Sequence, residues 1–255
     1  MPSVLQLTDL HLLSDPAATL KDICTRDEVT RVFAYIREGV AARRWNFDQI
    51  VITGDLAHDE QRETYEVLRE MLGDWLPNCK LMLGNHDSRP FIREVFPELA
   101  SNELDFFTFS CRVGEWQLIG LDSHISGEVP GELGQRQLEW LAEELRLHVG
   151  QPTVLFVHHP PFEVGSAWVD ALGLRDAASL LELATNAPQV KAICAGHVHQ
   201  DRQKNIGNLQ LFTTPSAVVQ FGVNSEEFSL DFIPPGFRIL HLEGDIFRSE
   251  VVRLP

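Results

Sequence analysis

The sequence predicts an α/β fold in which two packed sheets are flanked by helices, and three observations predict it. Strand-like and helix-like segments alternate through the first half, and hairpin-like strand pairs follow later. Five polar clusters each close a short apolar run, as residues do on loops at the ends of buried strands. The 255 residues, 44% hydrophobic and 23% charged, supply material for a substantial core. No repeat, low-complexity tract or linker divides them, so residues 1–255 are expected to form one domain.

Residues 3–8 read as a first strand ending at Asp9, and residues 12–25 as a loop. Over 26–45, Val29, Val32, Phe33, Ile36 and Val40 recur at the spacing of an amphipathic helix. Residues 47–53 form a second strand ending at Gly54-Asp55, and 61–72 a helix with Tyr65, Leu68 and Leu72 on one face. The third strand, 79–83, runs into Gly84-Asn85-His86-Asp87, and a short helix over 88–95 stops near Pro97. Residues 105–112 and 115–122 pair as a hairpin turning at Val113-Gly114. A helix over 134–148 carries Leu138, Leu141, Ala142 and Leu145 in register. The strand at 153–157 ends at His158, a helix spans 176–185, and the strand at 190–195 ends at Gly196. Residues 209–213, 238–242 and 246–252 are later strands, the last two joined at Glu243-Gly244-Asp245. Between them 220–236 reads as a loop that could cap a site or join a homodimer.

The formal charge of −16 argues against nucleic-acid binding, which relies on Lys and Arg neutralising phosphates. An anionic substrate would instead need local cations, and bound metals would provide them. No apolar run approaches the roughly 18–20 residues of a membrane span. The first residues lack a basic stretch and enter a strand, which does not read as a secretory signal. Four cysteines, Cys24, Cys79, Cys111 and Cys194, form no CxxC pair, so a reduced cytoplasmic setting is expected.

The five clusters are Asp9-Leu10-His11, Gly54-Asp55, Gly84-Asn85-His86-Asp87, His158-His159-Pro160 and Gly196-His197-Val198-His199. Singly, Asp9 reads as a helix cap, and Asp55 or Asn85 as a turn residue. His197-x-His199 is stronger, because alternate residues of an extended segment point the same way. Jointly the clusters place imidazole, carboxylate and carboxamide donors on strand-end loops that can converge. Their number suits two ions, and their chemistry suits iron, manganese or zinc rather than Cu(I). His58, His124, His148 and His241 match no strand-end pattern and read as structural, with His124 the candidate for a substrate loop. His159 reads as a support for its neighbour rather than a metal ligand.

The ordered set D-x-H, G-D, G-N-H-D, H-H and G-H-x-H resembles the calcineurin-like metallophosphoesterase superfamily. The resemblance implies the metallophosphatase fold, a four-layer α/β/β/α sandwich of two mixed sheets flanked by helices. It also implies two ions about 3.5 Å apart, bridged by one Asp. Carried over residue by residue, one ion takes Asp9, His11, Asp55 and His199. The other takes Asp55, Asn85, His158 and His197, and His86 faces substrate. The Asp-Arg-Gly that follows this segment in protein serine/threonine phosphatases is absent after Gly54-Asp55-Leu56-Ala57; His58-Asp59-Glu60 stands there instead, which counts against a protein phosphatase.

Other segments resemble the bacterial class III cyclic-nucleotide phosphodiesterases. They are Gly131-Glu132-Leu133 with Gln137-Leu138-Glu139-Trp140-Leu141, Ser166-Ala167-Trp168-Val169-Asp170 with Leu174-Arg175, and Thr214-Pro215-Ser216 with Gln220-Phe221. This implies hydrolysis of 3′,5′-cyclic AMP by a hydroxide bridging the metals, with His86 as proton donor to the leaving oxygen. His11, Asp55, Asn85, His86 and His199 would contact the nucleotide, and Asp87 would either orient His86 or serve as a turn or cap residue. Trp168, Phe221 and Phe228 either stack on a purine or, as such rings more often do, pack among themselves. The alternatives are a broader phosphodiesterase of glycerophosphodiesters or 2′,3′-cyclic nucleotides, and a non-catalytic scaffold, which would have no need of the intact donor set.

Overall fold

The computed structural model describes residues 1–99 and 106–255. Strand β1 (Ser3–Leu7) is buried throughout, and its alternation sets the layering. Leu5 and Leu7 pack on Val29, Val32, Phe33 and Ile36 of helix α1 (Thr25–Ala41), while Val4 faces the other way. A two-strand ribbon, β2 (Thr19–Leu20) with β3 (Ile23–Cys24), interrupts the expected 12–25 loop. Next come β4 (Gln49–Ile52), α2 (Arg62–Leu72), a 3-10 turn (Gly73–Asn78), β5 (Cys79–Leu81) and α3 (Arg89–Val95). Helix α2 stops at Gly73, whose φ of 50° with ψ of −122° is a backbone conformation that glycine, lacking a Cβ, adopts readily.

The hairpin is β6 (Phe109–Val113) and β7 (Trp116–Leu121), turning at Gly114-Glu115; Asp105, at the start of the expected strand, lies outside the described residues. Helix α4 (Gln135–Leu147), β8 (Thr153–Val157), α5 (Ala167–Asp170), α6 (Ala177–Asn186) and β9 (Val190–Ala195) follow. The chain ends through β10 (Arg202–Ile206), β11 (Leu209–Thr213), β12 (Gln220–Phe221), β13 (Leu230–Asp231), β14 (Gly236–Glu243) and β15 (Ile246–Arg253). Residues 220–236, expected as a loop, contain the short β12–β13 pair. Strand β10 was not expected, because Arg-Gln-Lys-Asn-Ile has no apolar alternation. Its polar residues suit an edge, where charge discourages pairing with another chain.

Two mixed sheets result, with strand orders β15-β14-β1-β4-β5 and β10-β11-β9-β8-β7-β6. Strands β1, β4 and β5 run parallel in one, and β7, β8, β9 and β11 in the other. Between the sheets Val4, Val51 and Leu240 meet Val154, Phe156 and Cys194. On the far side of the second sheet Leu155 and Ile193 pack on Leu141 and Leu180 of α4 and α6. The order of layers is thus α/β/β/α, as the resemblance implied. Among the described residues no helix is long and apolar enough to cross a membrane.

Candidate metal centre

The loops that leave β1 and β4 continue side by side as an extension of the parallel ladder. Asp9 N–H donates to Gly54 O (3.0 Å), His11 N–H to Asp55 O (2.9 Å) and Leu12 N–H to Leu56 O (3.1 Å). Two glycines permit the close approach of neighbouring loops. A Cβ on Gly84 would lie 2.1 Å from Asp55 Oδ1, and one on Gly196 would lie 2.1 Å from Thr8 Oγ1. Asp9, His11, Asp55, His197 and His199 have φ of 54°, 42°, 50°, 69° and 51°. Non-glycine residues in this region are uncommon and cluster at functional sites.

These loops gather the expected donors into two groups that share one carboxylate. In the first, His11 Nε2 lies 3.1 Å from His199 Nε2 and 3.5 Å from Asp55 Oδ2, and His199 Nε2 lies 3.3 Å from Asp9 Oδ1. In the second, His158 Nε2 lies 3.5 Å from the same Asp55 Oδ2 and 3.3 Å from Asn85 Oδ1. Asn85 Oδ1 is also 3.0 Å from His197 Nδ1. Asp9, His11, Asp55, His158, His197 and His199 are all buried, whereas Asn85 and His86 are half-buried.

The hydrogen bonds behind these donors fit them to cations. His158 Nδ1–H donates to Thr53 O (2.8 Å) and His199 Nδ1–H to Val219 O (2.7 Å), which turns each Nε2 inward as the nitrogen that a cation would meet. Asp55 Oδ1 accepts the His86 N–H (2.9 Å), so Oδ2 is free for the interior. His197 Nε2 is buried without a hydrogen-bond partner. Inward nitrogens of His11 and His199 buried 3.1 Å apart, with His158 Nε2 and His197 Nδ1 both converging on Asn85 Oδ1, are what a pair of metal ions would resolve.

Electrostatics agrees. Burial pushes the imidazoles of His11 and His197 down to about 3, which keeps both neutral. Burial also opposes the charge on Asp55, but His158 outweighs it and holds the carboxyl well below the usual range. Reciprocally, His158 is lowered by burial, yet the Asp55 carboxylate wins and raises it to about 9. Without another cation the carboxylate retains a proton on His158, and an ion bound there would displace it.

Of the two roles expected of Asp87, the structure shows the turn role. Its carboxylate accepts N–H groups of Gly84 (2.9 Å), Leu56 (3.1 Å) and Ala57 (3.1 Å) and the Tyr65 hydroxyl (3.1 Å). It therefore clamps the Asp55 loop to the Gly84 turn rather than orienting the His86 ring. The fully buried Tyr65 hydroxyl also accepts the Ser88 N–H (2.7 Å). Tyr65→Phe leaves that N–H unpaired and is expected to cost about 1–3 kcal/mol in urea unfolding, with metal content retained. An unchanged unfolding midpoint would show that the clamp does not need the hydroxyl.

His159 fits the supporting role expected of it. Nε2–H donates to Val129 O (2.9 Å), Nδ1 accepts the Ser123 hydroxyl (2.8 Å), and the ring packs on His158 and His197. His124 Nδ1 lies 2.9 Å from Gly84 O and braces the same turn. The aromatic trio packs among itself: Trp168, Phe221 and Phe228 have ring centroids 5.2–5.5 Å apart. Phe221 also stacks on His199 at 3.9 Å and 7°, so one of its faces is already taken.

His58, which reads from the sequence as structural, stands beside the site. Its Nδ1 lies 3.2 Å from His11 Nδ1, and its ring stacks on His86 at 4.6 Å. The available signal was positional: extending the β1–β4 parallel register past both strands pairs Leu12 with Ala57, and so brings His58 beside His11.

Comparison with known proteins gives a consistent result. Residues 2–201 match the family model described as Calcineurin-like phosphoesterase. The chain is 34% identical over 253 residues to the 3′,5′-cyclic adenosine monophosphate phosphodiesterase CpdA of Vibrio vulnificus, covering 98% of this chain and 89% of that protein. It is 32% identical over 261 residues to the 3′,5′-cyclic-nucleotide phosphodiesterase alr5338 of Nostoc, covering 99% and 92%. Among solved structures, a dimetal phosphatase from Danio rerio superposes with a TM-score of 0.69 at 12% identity, covering 99% of this chain and 98% of the other. At that identity the likeness speaks for the fold.

Proposed function

The chain belongs to the calcineurin-like phosphoesterase family, whose members are hydrolases, and from that premise we propose that it hydrolyses 3′,5′-cyclic nucleotides, cyclic AMP foremost, to nucleoside 5′-monophosphates. The substrate class is supported by the relatives named above, which align over nearly the whole chain. The chemistry is carried by one observation: Asp55 Oδ2 lies 3.5 Å from both His11 Nε2 and His158 Nε2, at the junction of two donor groups.

In this reading Asp9, His11, Asp55 and His199 hold one ion, and Asp55, Asn85, His158 and His197 the other. Iron or manganese, or alternatively zinc, suits such donors. When bound, the pair supplies Lewis acidity toward phosphoryl oxygens and lowers the pKa of water in the site to about 7. Asn85 and His86, the half-buried members of the site, meet the phosphate. His11, Asp55 and His199 form the floor beneath it. As a water oxygen bonds to phosphorus and the P–O3′ bond breaks, His86 gives a proton to the leaving 3′-oxygen. Asp55 Oδ1 holds the His86 backbone, so the carboxylate shared by the ions also fixes the proton donor.

Residues 1–255 are read as one domain, supported by the apolar layer common to both sheets. Segment 220–236 caps the site in this reading, supported by Phe221 on His199. Its exposed Phe232 and Ile233 offer a surface for a homodimer. A cytoplasmic setting is supported by four free cysteines.

Turnover of cyclic AMP, 2′,3′-cyclic AMP, bis(p-nitrophenyl) phosphate and glycerophosphocholine, with metal analysis of protein purified without chelator, tests the proposal. Two ions per chain and the highest kcat/KM on cyclic AMP are expected. Faster turnover of 2′,3′-cyclic AMP or glycerophosphocholine would reassign the enzyme to the broader class, and metal-free, inactive protein would leave a scaffold.

A further inference from the structure

Three imidazoles of the centre present Nε2 inward, and what lies behind them differs. Behind His158 and His199 stand backbone carbonyls, which can only accept and so fix the proton on Nδ1. Behind His11 stands a second imidazole, with His58 Nδ1 3.2 Å from His11 Nδ1. Only one of these two nitrogens can carry the hydrogen. If it sits on His11 Nδ1, the His11 Nε2 lone pair faces Asp55 and His199; if it sits on His58, a His11 N–H points into the donor group. The same His58 ring lies flat against His86, with centroids 4.6 Å apart and planes at 27°.

The placement of His58 is firmly built. Its N–H donates to Leu12 O (2.8 Å), continuing the ladder through Leu12 and Ala57. The next residue, Asp59, accepts Ser14 N–H (2.7 Å), Thr64 hydroxyl (2.7 Å) and Gln61 N–H (3.2 Å). The loop is thereby held without using the His58 side chain, which is left to its two neighbours.

We propose that His58 is a positioning residue with two separable tasks: its Nδ1 accepts the His11 Nδ1–H, fixing the tautomer that can bind metal, and its ring holds the His86 imidazole in place. This rests on the two-ion reading above, and it adds a residue outside the donor groups of that reading. It links metal affinity to proton donation through one side chain.

Two substitutions divide the tasks. His58→Asn places an amide oxygen near the position of Nδ1 and removes the ring; His58→Phe keeps the ring and removes the acceptor. Mn2+ is titrated by calorimetry into the chelator-stripped full-length chain, with the Mn2+-induced rise in Tm as a second readout. His58→Phe is expected to weaken binding of one ion by about 10–100-fold, the usual cost of losing a partner hydrogen-bonded to a ligand. His58→Asn is expected to keep wild-type Mn2+ affinity, and at saturating Mn2+ to lower kcat on cyclic AMP by up to ~10²-fold with little change in KM. Wild-type affinity in His58→Phe would overturn the acceptor role, and wild-type kcat in His58→Asn would overturn the ring's role. A third ion bound by the wild type and lost in both variants would make His58 a ligand and overturn the proposal. Wild-type protein that takes up no Mn2+ would remove the two-ion reading itself, a result distinct from either variant outcome.

Discussion

Asp55→Ala is expected to abolish hydrolysis and metal loading together. Its Oδ2 is the atom common to both donor groups, so its removal takes a ligand from each proposed ion and the negative charge between them. The loss should exceed the roughly 10–100-fold typical of changes one hydrogen bond away from a ligand. The loop itself is expected to survive, because the Asp55 carbonyl still accepts the His11 N–H and Asp87 still clamps Leu56 and Ala57. Far-UV circular dichroism should therefore match the wild type while metal content collapses. Asp9→Ala is the milder comparison: the Asp9 side chain belongs to the first group and reaches the second only through the His197 N–H that its carboxylate accepts (3.1 Å), so the second ion should be lost less completely than in Asp55→Ala. An Asp55→Ala protein that is active and fully metallated would defeat the bridging arrangement.

His86→Ala should keep both ions and lose turnover by roughly 10²–10⁴-fold on cyclic AMP, the range for a general acid. The His86 side chain stands outside the two groups that share Asp55; its ring packs edge-on to His11 with centroids 5.0 Å apart, and its backbone N–H donates to Asp55 Oδ1. Proton donation matters only where the leaving oxygen is a poor leaving group. p-Nitrophenolate departs without a proton, so bis(p-nitrophenyl) phosphate should be hydrolysed with a much smaller loss. Equal loss on the two substrates would argue that His86 holds the phosphate instead, and unchanged kcat on cyclic AMP would remove the assignment.

The layers of the fold could be read in advance because its buried strands are short apolar runs. β8 and residues 192–195 of β9 carry side chains into two apolar layers, so they read as short hydrophobic runs with sharp ends. β10 was not visible, since an edge strand needs hydrogen-bonding groups rather than apolar residues. The donors were visible one by one as residue types after strands, and their convergence follows from parallel strands ending together. What sits behind the donors was not. Asp87 and His58 act through loops that meet only after folding, across 30 and 47 positions of chain. Asp87 resembles a residue that would steer its neighbour His86, yet three backbone N–H groups claim it first.

Five of the proposed ligands, Asp9, His11, Asp55, His197 and His199, sit in left-handed backbone conformations that their side chains disfavour. Such conformations cost of order 1–3 kcal/mol each, an expense the sheets beneath must absorb before any ion arrives. Selection for activity therefore works against selection for stability at these five positions. A descendant released from catalysis would be free to relax them to glycine, which adopts the same backbone without penalty. In such a lineage, decay of function should be written first as glycines at these turns, while the strands leading to them stay intact.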